Sequence, residues 1–167
     1  MRCVFVFGAA LALAGCALPD VDIAFDPQAA AFIHQRGKTT VKGEAFFRAE
    51  NGRVVYAAGE WVYLIPSTPY SDARFDAFFG DEKYLRATRL FLFQDADPRY
   101  AQFMRATKAD SGGNFQFEEV GPGRYYVWTT ATWIPDNWIL PAGGLIYDRV
   151  EVTGREKTDI KVIVSGK

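Results

Sequence analysis

The chain has 167 residues, with 19 basic and 20 acidic side chains, one histidine and two cysteines. That length suits one domain around one filled core, and a content of 49% hydrophobic and 16% aromatic residues excludes disorder and a coiled coil. A net charge of −1 gives no general reason to bind nucleic acid or anionic lipid, and a single histidine removes most zinc hydrolases and facial-triad oxygenases, whose metals need more.

Met1-Arg2 provides a short positive start, and Cys3 to Ala14 is an apolar run interrupted only by Gly8. It is too short to span a bilayer, which takes about 20 residues, and it fits the apolar region of a secretory signal. The run closes on Leu13-Ala14-Gly15-Cys16, which resembles the lipobox of bacterial lipoproteins. The resemblance implies a signal peptide over 1–15 and a lipid (diacylglyceryl and palmitate) attached at Cys16. It also implies a mature domain with no disulfide, because Cys3 leaves with the signal. Ala17, where an aspartate would stand in retained lipoproteins, implies an outer-membrane address facing the periplasm. The residues also fit an ordinary signal peptide cleaved after a small-x-small site, with Cys16 incidental.

Residues 16–38 read as the lipidated cysteine and a tether that packs partly on the domain through Phe25, Phe32 and Ile33; His34 in it reads as a solvated side chain. Strand signals begin at Thr39. Thr39 to Phe47 is rich in β-branched and aromatic residues, and Asn51-Gly52 is a two-residue turn signal. Glu60 to Pro66 sets Val62 and Leu64 on one face and Trp61, Tyr63 and Ile65 on the other. Asn114 to Val120 alternates through Phe115 and Phe117, Gly121-Pro122-Gly123 turns the chain, and Arg124 to Trp133 is a long strand. Leu145 to Val152 and Lys157 to Val164 read as a last pair around Gly154. About seven short strands between turns predict an all-β fold, an antiparallel β-sandwich.

An insert at 67–104 breaks that pattern. Ser71 and Asp72 suit a helix start, Phe75, Phe78 and Phe79 fall at helical spacing, and Gly80 suits a stop. Tyr84 to Phe93 predicts a strand through Leu90 and Leu92, and Asp97-Pro98 caps a further helical turn. The insert's many aromatic rings cannot all face water, so it should lie against the sandwich.

The order of strands and turns over 39–165 is similar to the carboxypeptidase regulatory-like domain, a transthyretin-like (Ig-like) β-sandwich. Gly43-Glu44-Ala45 and Gly59 to Leu64 stand at its first two elements, Asp110 to Phe117 at its third and Gly121 to Val127 at its fourth, with Ala109 in place of the usual threonine. The resemblance implies a fold and an accessory module without catalytic residues. Asp110 should accept from backbone amides in an Asx turn, Gly113 should take positive φ, and Tyr125 should pack at the strand's corner.

No catalytic residue, cofactor or metal is assigned. There is no Gly-x-Ser-x-Gly elbow, and a Ser-His-Asp arrangement would need the tether histidine. A divergent hydrolase is the reading this leaves furthest behind. Lys42 on the first strand could reach only Asp159 on the last, not the asparagine of an isopeptide crosslink. The best binding candidate is the aromatic loop 133–141, with Trp133 and Trp138; Tyr70 and Tyr84 in the insert are secondary. Exposed, these rings could bind an envelope protein, the leading function, or stack on a glycan, the alternative; otherwise the loop folds over an open core edge.

Overall fold

The computed structural model describes residues 21–89, 96–136 and 138–166. The signal segment, Cys16, and the part of the predicted strand holding Leu90 and Leu92 lie outside the described residues. The protein is an all-β sandwich with a helical layer on one face.

Nine strands are described. The first sheet is built on β1 (Arg36–Arg48), which pairs along one edge with β6 (Asn114–Val120) and β2 (Val54–Tyr56) and along the other with β9 (Ile160–Ser165). The second runs β4 (Tyr84–Arg86), β8 (Ala142–Val152), β7 (Gly123–Trp133), β3 (Trp61–Pro66) and β5 (Arg105–Lys108). Strand alternation puts Val41, Ala45 and Phe47 of β1, Phe115 and Phe117 of β6, and Val62 and Leu64 of β3 into the core between the sheets.

Two expectations about pairing are corrected. β8 and β9 are not a pair. β8 lies between β4 and β7, whereas β9 crosses to the other sheet and pairs with β1 in parallel, Val41 opposite Ile160 through Phe46 opposite Ser165. Seven residues separate the two strands, enough to carry the chain across the sandwich edge. β5 is a strand that its sequence, Arg-Ala-Thr-Lys, does not announce; it forms because β3 offers it an open edge from Trp61 to Leu64. The Asn51-Gly52 turn is longer than two residues: Ala49 N–H donates to Arg53 O, leaving Glu50, Asn51 and Gly52 as a three-residue loop with Gly52 at φ +83°.

The predicted Asx turn is present. Asp110 Oδ1 accepts from Gly112 N (2.8 Å) and Asn114 N (2.9 Å), and these bonds, the Asn114 N–H foremost, hold its carboxyl below the usual range. Gly113 sits at φ +77°, and a Cβ there would lie 2.4 Å from Ala45 O. In β6 the alternation slips after Phe117: Glu118 and Glu119 both face out and Val120 faces in, an extra-residue bulge with Glu119 at φ +52°. Tyr125 is buried at the corner, its hydroxyl donating to Gly121 O (2.8 Å).

A second core lies on the outer face of the five-stranded sheet. Helix α2 (Pro69–Phe79) starts one turn earlier than Ser71 suggests: Thr68 is the N-cap, and Ser71 completes a reciprocal capping box. Phe75 stacks on Tyr126 (3.9 Å, 12°) and, with Phe79, meets Tyr147. After β4 comes a 3₁₀ turn, Tyr100–Phe103, whose N-cap is Arg99 rather than the expected Asp97; Asp97 O accepts from Tyr100 N (2.9 Å) just before it. The expectation that the insert lies against the sandwich holds for all of its described residues in this core.

The segment before β1 packs on the domain through the three residues expected to do so. A short helix α1 (Pro27–Ala30) and a 3₁₀ turn (Ala31–His34) precede β1; Phe25, only 4% exposed, is ringed by Tyr70, Tyr100 and Phe103 at 5.3–5.4 Å, Ile33 is buried in the core between the sheets and Phe32 packs against that core. His34 is exposed beside Phe103, as read.

Candidate binding groove

One end of the sandwich carries a groove of about 480 Å³. Three connections meet there: the β1–β2 loop with Ala49, Glu50 and Asn51, the segment after β4 with Arg86, Ala87 and Thr88, and the β7–β8 loop. Two of the sequence-predicted rings line it, Trp133 at the end of β7 and Tyr84 at the start of β4. Both pack on Phe47, at 5.6 Å and 5.4 Å. Resting on the same phenylalanine, the two rings form an apolar wall of the groove. Gly143, at φ +76°, lets β8 pass beneath Trp133: a Cβ there would sit 2.1 Å from Ala131 O and 2.7 Å from the indole. Pro135 and Pro141 frame the mouth, and Glu50, Asn51, Arg86 and Thr88 supply donors and acceptors at the rim.

The other two predicted rings part company. Trp138 stands 65% exposed on the outer side of the loop, not in the groove. Tyr70 is not a surface ring at all. It is 7% exposed on helix α2, edge-on to Phe25 and Tyr100, and its hydroxyl accepts from Asp97 N (2.8 Å). At the second position of the helix its side chain falls on the face that meets the core. Sequence reading also passed over Phe47 and Arg86. Alternation in β1 marks Phe47 as a core residue, but nothing local shows that two other rings use it as their support.

A second, polar depression of about 430 Å³ lies beside helix α2, lined by Ser67, Asp72, Asp76, Arg124, Arg149 and Glu151 around Tyr126. Its central carboxylate is occupied structurally: Asp72 Oδ1 accepts from Ser67 Oγ (2.7 Å) and from Tyr126 Oη (2.8 Å). Burial, ahead of the adjoining Asp72, pushes the Tyr126 phenol well up, so it stays a donor. His34 lies elsewhere, beside Arg36 and Glu119, and no triad forms with Ser67. Lys42 and Asp159 do meet, Nζ to Oδ2 at 2.6 Å, as a half-exposed ion pair. Among the described residues, no group of three or more His, Cys, Asp or Glu is placed to hold a metal ion, and no helix is long and apolar enough to cross a membrane.

No protein family's profile and no curated protein matches the chain. Among solved structures it is similar to a Pseudomonas aeruginosa protein provisionally described as carbohydrate-binding, with a TM-score of 0.69 and 27% identity over 89% of this chain and 99% of that one.

Proposed function

We propose that this chain is a non-catalytic module of the bacterial envelope whose end groove binds a carbohydrate. The observation that carries the reading is the convergence of Trp133 and Tyr84, from strands β7 and β4, on one groove with a hydrogen-bonding rim. Sugars offer apolar C–H faces to ring walls and hydroxyls to carboxylate, amide and guanidinium groups, and this groove has both. The neighbour's provisional description, on a fold shared over nearly the whole of both chains, supports the same class of ligand. The envelope placement rests on the apolar run 3–14 and on Cys16 as the lipid-bearing residue. A fold like the carboxypeptidase regulatory-like domain accords with an accessory, non-catalytic role.

Glycan-array screening followed by calorimetry tests the groove. Trp133→Ala should weaken binding at least tenfold, in the range of a truncated aromatic anchor, about 1–2 kcal/mol or more. Trp133 also packs on Phe47, so Arg86→Ala, on the exposed rim, is the companion: it should weaken binding severalfold at unchanged melting temperature. No glycan bound, together with a defined envelope protein crosslinked by the wild type and lost in Trp133→Ala, would replace this reading with the protein-binding one.

A further inference from the structure

We propose that the tip of the β7–β8 loop is a membrane-contact site, seated on a bilayer with anionic headgroups. Half of the exposed large apolar side chains among the described residues sit on this one loop: Ile134, Trp138, Ile139 and Leu140, with Ile139 93% exposed. They face away from the groove, whose lining from this loop is Trp133, Pro135 and Pro141. Asp136 is the only charged residue from 134 to 141. Trp138 N–H donates to Pro135 O (3.1 Å), a bond that closes the loop on itself.

Clustered aliphatic side chains have no hydrogen bonds to offer a sugar, and water disfavours them. A tryptophan beside aliphatic residues is the composition that partitions into the headgroup boundary of a bilayer. The surroundings complement an anionic surface. Arg86 lines the adjoining groove, and exposed Arg53 and Arg89 flank the two loops that form its other walls, three cations against Glu50 and the tip's own Asp136. The chain's overall charge of −1 therefore conceals a local cationic excess at this end. The same arginines oppose a second copy as occupant, since a two-fold contact through this tip would bring like charges together.

The contact does not require the lipid proposed at Cys16, and its test is run without it. A chain of residues 17–167 keeps the whole described fold and carries neither acyl group nor apolar leader. Mixed with phosphatidylglycerol–phosphatidylcholine vesicles it should co-sediment, more than with phosphatidylcholine alone. Ile139→Asp should lower the bound fraction at least tenfold at unchanged melting temperature, and Arg53→Gln with Arg89→Gln should remove only the preference for anionic vesicles. A wild type that ignores both vesicles, or an Ile139→Asp chain that binds like wild type, would overturn the proposal. So would a solution dimer dissolved by Ile139→Asp, which would assign the tip to a second copy. Glycan affinity is measured on the same Ile139→Asp chain. Vesicle binding lost with glycan affinity kept separates the tip from the groove, and a wild type that fails only on vesicles leaves the groove reading standing.

Discussion

Gly113 shows how a single residue can be required by two independent constraints. Its φ of +77° belongs to the left-handed region, and the space a Cβ would need is taken by Ala45 O at 2.4 Å. Relaxing one constraint does not relieve the other, because Gly113 N–H also donates to Asp110 O and Gly113 O accepts from Ala45 N, closing the turn onto β1. Gly113→Val should therefore destabilise the fold by at least about 2 kcal/mol, read as a lower urea midpoint; a neutral result would remove this account of the turn. The motif from Asp110 to Phe117 exposes this need in sequence, since an aspartate followed by glycines at that spacing has few other uses. The rings are a contrary case. Tyr70 and Tyr84 look alike in sequence, yet one closes the outer core and the other walls the groove. Only their neighbours, Asp97 and Phe25 for the first and Phe47 for the second, separate them.

Among elements, the segment before β1 packs through Phe25, Phe32 and Ile33 as expected and does more than dock: Phe25 and Ala30 close the second core beside helix α2, and Ile33 enters the core between the sheets. A true tether would tolerate Phe25→Ala without cost. Here the substitution should destabilise by about 3 kcal/mol or more, as for other buried phenylalanines, in thermal or urea denaturation. Helix α2 was legible, because Phe75, Phe78 and Phe79 keep helical spacing and Gly80 stops it. Its first turn was misplaced by three residues, since Ser71 works at the third position of the helix as well as a cap would. β5 and the crossing of β9 were not legible: a short polar strand and a choice between two sheet edges are decided by which backbone groups remain unpaired.

At the scale of the molecule, the three layers leave one end with groove and loop tip together, while the segment before β1 packs at the other, with Phe32 on Tyr125. Cys16→Ser should abolish acyl labelling and move most of the protein from the membrane fraction to the soluble one; retention without label would show an anchor elsewhere. The sequence alone determined the all-β class, the alternating faces of β3 and β6 and the Asx turn, because alternation and turn chemistry act over a few residues. The tertiary structure decided that Trp133 and Tyr84, 49 residues apart, share one groove while Tyr70 does not, that Trp138 and Ile139 face outward, and that β9 joins β1. Those outcomes depend on which distant segment fills a cavity or completes a sheet edge, and that competition is settled only once the whole chain is packed.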